Sequence, residues 1–183
     1  NTLVINNIGG QNGTGTINLA TGGTTNFTAS SAGQTIIRNG GGTNGTGTGN
    51  LVYGGASHFD QATIQSMVIE NGGGDNGTGT VNEAYGGVSN VNRSSVASLV
   101  IENNGGSNAT GARNIVHGGT TQFTDSFAGQ ISIRNEGGTS GTGTENLVYG
   151  GASHFSRSTL GSLVIENGAG SSTTGDQNRI YGG

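Results

Sequence analysis

Short apolar runs alternate along the chain with clusters of glycine and asparagine. Runs such as SLVIEN at residues 98–103 and NLVY at residues 50–53 are four to eight residues long and rich in Val, Ile, Thr and Tyr. They lack the spacing of an amphipathic helix, and 40 glycines in 183 residues are too many for a helical protein. The pattern therefore predicts short β-strands joined by tight corners.

The runs recur with a period of 32 residues, without insertion or deletion. A three-block unit of 96 residues is itself repeated, because GTGTGNLVYGGASHF at 45–59 returns as GTGTENLVYGGASHF at 141–155. We therefore treat residues 1–183 as a single domain of stacked blocks, numbered here as coils 1 to 6. The blocks are 2–33, 34–65, 66–97, 98–129, 130–161 and a partial sixth, 162–183.

Several columns keep one residue type in every block, and a Gly-Gly pair such as Gly22-Gly23 recurs as well. The isoleucine column is Ile5, Ile37, Ile69, Ile101, Ile133 and Ile165. The first asparagine column is Asn7, Asn39, Asn71, Asn103, Asn135 and Asn167. The second asparagine column is Asn18, Asn50, Asn82, Asn114, Asn146 and Asn178.

Short strands at a fixed period are typical of an all-β, parallel β-solenoid. We predict one three-stranded coil per block and about six coils. Two coils per block is the alternative, but the Gly-Gly spacing within a block is too uneven for it. The Ile5, Phe27 and Ala32 columns are expected to form a thin core, with the asparagine amides hydrogen-bonded from coil to coil. Glycine is expected at corners that need a positive φ.

The column after the invariant isoleucine carries charges that alternate along most of the stack. At a coil spacing of about 4.8 Å, Arg38 and Glu70 become neighbours of opposite sign. The same holds for Glu102, Arg134 and Glu166. These exposed pairs are expected to contribute roughly 0–1 kcal/mol each, so packing and backbone hydrogen bonds must hold the coils together.

Composition excludes several functional classes. The net charge is −4 and Lys is absent, so no basic surface for nucleic acid is expected. No apolar run is long enough to insert into a membrane. The absence of Cys removes disulfides and thiolate metal sites.

Candidate catalytic and metal-binding motifs do not converge in the sequence. His58 and His154 lie in a column without a repeated carboxylate, which indicates tolerated outward positions. Residues 72–80 (GGGDNGTGT) look like a calcium-binding nonapeptide, but Asp75 has no acidic equivalent in the other blocks. The glycine-rich loops lack the Lys or the following helix of a phosphate site. We predict no enzyme, no metal site and no cofactor.

Two repeated features could form a contact surface. One is the Tyr53, Tyr85, Tyr149 and Tyr181 column, in which His117 takes one place. The other is a pair of threonine rows, broken at Ala112 and Asp176, that resemble those of ice-binding β-solenoids. The rows contain Thr14, Thr16, Thr46, Thr48, Thr78, Thr80, Thr142 and Thr144. Glycosylation sequons are also present, at Asn12, Asn26, Asn44, Asn76, Asn92 and Asn108.

Residues 118–138 (GGTTQFTDSFAGQISIRNEGG) and 54–74 (GGASHFDQATIQSMVIENGGG) resemble the glycine-rich repeats of bacterial autotransporter passengers and related large surface proteins. The resemblance covers about twenty residues of each 32-residue block, and the NGTGT segment departs from its simplest form. It implies a right-handed parallel β-helix, secretion to the cell surface, and a role in adhesion, self-association or biofilm.

The predicted function is that of a structural extracellular protein, a rod-like segment of a surface adhesin or of a self-assembling matrix filament. Because the chain begins and ends inside the repeat, we expect either a longer array or self-association into a homopolymer, end to end or lateral. Other expected partners are a glycan or a protein surface of a host or matrix. The alternatives are a carbohydrate- or ice-binding module that uses the threonine rows or the tyrosine column, and a polysaccharide-processing enzyme dependent on a single acid such as Glu83.

Overall fold

The computed structural model describes residues 2–182, apart from the side chains of Ala109, Thr173 and Asn178. All regular elements in that range are β-strands, and every strand pair is parallel with residue i beside residue i+32. Ile37, for example, lies between Ile5 and Ile69. The chain is therefore a β-solenoid of about six turns in which each block forms one coil, as predicted.

The coils stack into three parallel sheets, so each complete coil contributes to all three. Sheet A contains the longest uninterrupted series, six strands that each end at an asparagine of the first column. These strands are β1 (Thr2–Asn7), β5 (Ser31–Asn39), β9 (Thr63–Asn71), β12 (Ser95–Asn103), β15 (Phe127–Asn135) and β19 (Thr159–Asn167).

Sheet B follows a glycine corner and has ten strands, because four coils contribute a strand that is split into two. The split strands are β2 (Gln11–Asn12) with β3 (Gly15–Ala20), β6 (Thr43–Asn44) with β7 (Gly47–Val52), β16 (Thr139–Thr142) with β17 (Glu145–Tyr149), and β20 (Ser171–Thr174) with β21 (Gln177–Tyr181). In the two middle coils the strand is continuous, as β10 (Asp75–Ala84) and β13 (Ser107–Val116).

Sheet C is short and lies between the Gly-Gly pair and the next strand of sheet A. Its alternating burial places a hydroxyl residue and a core residue inward on each strand. Its five strands are β4 (Thr24–Thr28), β8 (Ala56–Asp60), β11 (Val88–Asn92), β14 (Thr120–Thr124) and β18 (Ala152–Ser156).

The core is a set of stacked columns rather than a central cluster. Ile37, Ile69 and Ile101 are fully buried, and Phe59 and Phe123 pack against them from sheet C. Equivalent positions in the first and last coils are only partly buried, because no neighbouring coil covers their outer side. Each interior coil is therefore stabilised by burial against two neighbours, which is the nearest-neighbour arrangement of solenoid proteins.

The Gly-Gly pairs are required by two close approaches of the backbone, one to the next coil and one within the same coil. A Cβ on Gly86 would lie 2.5 Å from the carbonyl carbon of Gly118 in the next coil. A Cβ on the second glycine, Gly87, would lie 2.7 Å from the Cβ of Asn71. The first glycine of each pair thus makes room for the neighbouring backbone, and the second makes room for the first asparagine column.

The expectation that glycine occupies corners with positive φ is wrong. No described glycine has a positive φ. The left-handed corner recurs once per coil between sheets C and A, and five non-glycine residues occupy it. They are Ala29, Gln61, Arg93, Asp125 and Arg157, with φ between 45° and 54°. Glycine recurs in this chain because coils need space, whereas the left-handed corner carries ordinary side chains at an energetic cost.

We expect Gln61→Gly to stabilise the fold by about 1 kcal/mol, because glycine adopts a positive φ without steric cost. The Gln61 side chain is exposed, so little packing is lost. Gln65→Gly, an exposed position inside β9, is the matched control and should lower stability by about 0.5–1 kcal/mol. Urea denaturation of both variants checks this, and equal destabilisation by the two would contradict it.

The predicted charge pairs form in part. Arg38 and Glu70 make an ion pair at 2.8 Å between the Nε and Oε2 atoms. Among the described residues, Arg134 pairs with Glu136 in its own coil at 3.7 Å rather than with Glu102 or Glu166, although both lie beside it in the strand register. The strand register fixes which backbones are neighbours, but a long exposed side chain can still select another acid.

Candidate interaction surfaces

The first asparagine column forms a continuous hydrogen-bonded ladder inside the solenoid. Asn103 is fully buried, and its Nδ2 donates to Asn135 Oδ1 at 3.0 Å while its Oδ1 accepts from Asn71 Nδ2 at 2.9 Å. The same amide donates to Thr121 Oγ1 at 2.8 Å, and Ser89 Oγ donates to its Oδ1 at 2.9 Å. These asparagines therefore join sheet A to sheet C and each coil to the next.

The second asparagine column forms an equivalent ladder beneath sheet B. Asn50 Nδ2 donates to Asn82 Oδ1 at 2.9 Å and to the carbonyl oxygen of Thr78 at 3.2 Å. The amide thus satisfies a backbone acceptor close to the point where the strands of four coils are interrupted. The side chain of Asn178, the last member predicted for this column, lies outside the described residues.

A third ladder was not recognised in the sequence. Asn44 and Asn76 are buried, and Asn76 Nδ2 donates to Asn108 Oδ1 at 2.9 Å and to the carbonyl oxygen of Glu83 at 2.8 Å. The repeated asparagine in this column could have revealed the ladder, since the same rule identified the other two. Its membership of N-x-S/T sequons drew attention to glycosylation instead. The side chains of Asn44, Asn76 and Asn108 are buried, so these three sequons are not accessible for glycosylation in the folded chain.

All eight predicted threonines are exposed, in two rows along the outer side of sheet B. The glycine between the two threonines of a coil occupies an inward-facing position. A Cβ added at Gly79, for example, would lie 2.5 Å from Asn82 Oδ1. Two rows of hydroxyl and methyl groups thus border a shallow groove with a glycine floor, seen in coils 2 to 4. The rows cross the strand interruption, and Ala112 interrupts the second row, so the surface is less regular than the repeat alone implies.

The tyrosine column is a continuous stack of aromatic rings. Tyr85 lies between Tyr53 and His117, with ring-centroid distances of 5.0 Å and 4.5 Å and interplanar angles of 13° and 2°. Tyr149 lies between His117 and Tyr181 in the same way, at 4.9 Å and 5.1 Å. Because neighbouring rings cover both faces of Tyr85 and Tyr149, a sugar cannot stack on either of them. The column presents ring edges to solvent.

Glu83 lies beside this stack and changes the ionisation of two of its rings. Tyr85 Oη donates to Glu83 Oε1 at 2.5 Å, and this hydrogen bond, together with burial, raises the pKa of Tyr85 to about 12. Burial between the two tyrosines lowers the pKa of His117, an effect that Glu83, 3.8 Å from Nε2, partly opposes. The stack therefore favours a neutral imidazole.

We expect the pH dependence of stability between pH 5 and 7 to decrease in His117→Tyr. A histidine whose folded-state pKa lies below the unfolded value of 6.5 binds fewer protons when folded, so stability falls as the pH drops below that value. Tyrosine matches the other members of the stack and does not titrate in this range. Urea denaturation from pH 7 to pH 5 checks this. His154→Gln, at an exposed position, is the control; equal pH dependence in wild type and His117→Tyr would contradict the expectation.

The histidines of sheet C do not form a catalytic group with carboxylates. His58 Nδ1 contacts Asn90 Nδ2 at 2.9 Å, its neighbour in the next coil. Asp60 instead pairs with Arg93 at 2.7 Å and accepts from Asn92. Within residues 2–182, no three His, Asp or Glu side chains come together in a way that could hold a metal ion.

The acids are distributed along the stack rather than gathered on one surface. Asp125 pairs with Arg157 at 2.7 Å and Glu145 with Arg113 at 3.4 Å, each across successive coils.

Within the described range, no helix is long and apolar enough to cross a membrane. Comparison of the chain with protein-family models, with curated proteins and with solved structures returned no match.

Proposed function

We propose that this chain is a non-enzymatic structural element, a rod-like segment of an extracellular surface adhesin or of a self-assembling matrix filament. The observation that supports it best is the unbroken register of i with i+32 through all three sheets. Three asparagine ladders and the aromatic stack follow the same register.

The outermost described coils expose apolar side chains that stacking buries in the inner coils. Leu163 and Ile165 in coil 6 are each 39 % exposed, although the equivalent Leu99 and Ile101 in coil 4 are buried. In coil 1 Leu3 is 37 % exposed, and among the described residues β1 has a strand on one edge only. Another coil in the same register, from this polypeptide or from a second copy, would bury these side chains and pair the free edge.

Electron microscopy of the purified chain over a range of concentrations tests the proposal. Filaments with the width of a single coil are the expected particles at high concentration. Stacking at about 4.8 Å per coil gives each chain a length on the order of 25–30 Å, and a strand of sheet A spans about 30 Å across the coil, so a single chain is about as wide as it is long. Particles no longer than one chain at every concentration would contradict a self-assembling filament.

A ligand-binding module for carbohydrate or ice is the second candidate function, supported by the exposed threonine rows and their groove. Thermal hysteresis or shaping of ice crystals, abolished by Thr78→Tyr and retained in Ser98→Tyr on sheet A, would establish ice binding. For glycans, the covered ring faces of Tyr85 predict that Tyr85→Ala does not reduce affinity.

A further inference from the structure

One outer surface of the rod carries aliphatic and aromatic columns side by side. It consists of the outward side chains of β3, β7, β17 and β21 and of the second halves of β10 and β13, and we refer to it as the Leu–Tyr face. Its aliphatic column is Leu19, Leu51, Glu83, Ile115, Leu147 and Arg179. The aromatic stack lies on one side of that column. On the other side lie Ile17, Gly49, Val81, Arg113, Glu145 and Gln177.

The exposure of this face is unusual for such a polar chain. In coils 3 to 6, Val81 is 45 % and Tyr181 50 % exposed, and in coil 1 Ile17 and Leu19 are 84 % and 56 % exposed. Only 29 % of the residues in the whole chain are hydrophobic. The aromatic stack continues through coils 2 to 6, whereas the adjacent aliphatic column is interrupted by Glu83 and Arg179. An exposed surface of aliphatic and aromatic side chains is typical of a site that contacts another molecule.

The charged residues of the face are arranged so that they can pair with those of a second copy of this chain. Its four charged residues are Glu83 in coil 3, Arg113 in coil 4, Glu145 in coil 5 and Arg179 in coil 6. A two-fold axis parallel to the strands and between coils 4 and 5 places coil 3 opposite coil 6 of a second copy. Glu83 then faces Arg179 of the second copy, and Arg113 faces its Glu145. All four charges find an opposite partner at once.

Neighbouring arrangements lose this match. Sliding one copy by a single coil brings Arg113 against Arg113 in one direction and Glu145 against Glu145 in the other. Turning the copies parallel, about an axis along the aliphatic column, brings Glu83 against Glu83. A slide by two coils, which centres the axis between coils 3 and 4, avoids like charges but leaves all four charges opposite uncharged residues. Charge complementarity therefore favours the antiparallel register in which all four charges are paired.

The ion pairs of the arginines independently favour a second copy at this face. Each of the other five arginines has a carboxylate partner within its own chain. Arg179 is exposed and has no carboxylate partner among the described residues. In the antiparallel pair, Glu83 of the second copy lies opposite Arg179.

We propose that the Leu–Tyr face is the site at which a second copy of this chain docks side by side and antiparallel, with coils 3 to 6 of each copy in contact. The contact is isologous, so each mutation acts twice. It deepens the structural role proposed above, on which it rests, by adding a lateral contact to the end-to-end one. Four coils of one strand each cover roughly 300 Å² per copy, which makes the pair weak and concentration-dependent.

Sedimentation equilibrium of the whole chain over a concentration series tests the docking. Glu83→Arg and Arg179→Glu, each alone, set like charges opposite one another in two places and should raise the dissociation constant roughly tenfold. The double variant Glu83→Arg/Arg179→Glu exchanges the two charges and should return to within about threefold of the wild-type constant. Glu102→Arg, an exposed position on sheet A, carries the same charge change as Glu83→Arg and should leave the constant unchanged.

Circular dichroism confirms that each variant is folded before association is compared. A monomeric wild-type chain at every concentration would overturn the docking, as would single variants that behave like Glu102→Arg or a double variant that fails to recover. The outcomes separate the two proposals: rods or filaments whose association ignores all charge exchanges refute the lateral contact and leave the structural function standing. Particles no longer than one chain at every concentration in electron microscopy would refute assembly into a filament itself.

Discussion

Asn103→Ala is expected to lower the free energy of unfolding by about 4 kcal/mol, since it removes a buried amide from the centre of the first ladder. Asn71 Nδ2 and Ser89 Oγ would each lose an acceptor, and Thr121 Oγ1 and Asn135 Oδ1 would each lose a donor. Asn71 still donates to Ser89 and Thr121 to Asn135, so the cost is that of several lost hydrogen bonds. Each of them contributes roughly 0.5–1.5 kcal/mol, and the vacated volume adds to the loss. Denaturant unfolding followed by circular dichroism measures the effect.

The neighbouring residue provides a matched control for this prediction. Asn104 has the same side chain, but it is exposed. Asn104→Ala should therefore change stability by less than about 0.5 kcal/mol. Similar effects of the two substitutions would show that asparagine serves the coil through its backbone preferences and not through the ladder.

Gly86→Ala is expected to destabilise the protein by about 3 kcal/mol, since its methyl group has no space between coils 3 and 4. The added Cβ would lie 2.5 Å from the carbonyl carbon of Gly118 and 2.6 Å from the amide nitrogen of Gly119. Both contacts are with backbone, so no side-chain rotation relieves them. Either the coils separate locally or the corner distorts, and both weaken the hydrogen bonds between coils.

Gly49→Ala separates this clash from the general effect of replacing a glycine. An added Cβ at Gly49 would meet no atom within 4 Å. Alanine there should leave stability unchanged or raise it by up to about 0.5 kcal/mol, because it reduces the freedom of the unfolded chain. A Gly86→Ala variant as stable as Gly49→Ala would contradict the tight coil spacing.

The fold was predictable because the 32-residue blocks of the sequence can be compared with one another, which shows the positions that stay the same in every block. An invariant isoleucine every 32 residues fixes the coil length, and the asparagine columns indicate which side chains must bond to their own equivalents. The asparagines of the third ladder also recur every 32 residues, but they belong to sequons, which favoured their interpretation as glycosylation sites. Stacking of identical residues is a local consequence of register, so it needs no knowledge of the complete cross-section.

Other features depend on backbone and side-chain geometry that comparison of the repeated blocks does not reveal. The positive φ of Gln61 and Arg93 follows from how sheet C turns into sheet A, and ordinary side chains tolerate it. The partner of Arg134 depends on how its long side chain rotates. The stacking of Tyr85 between its neighbours decides that the edge of this ring and not its faces is available, which changes the ligand it could bind.

X-ray diffraction from an aligned sample of the purified chain tests the account most directly, because every ladder and proposal depends on coils stacked along one axis. Stacked coils predict a strong reflection near 4.8 Å along the rod axis, from the parallel strands of successive coils. They also predict that Asn103→Ala weakens this reflection more than Asn104→Ala does. A 4.8 Å reflection perpendicular to the rod axis, or none at all, would contradict a solenoid with one coil per repeat.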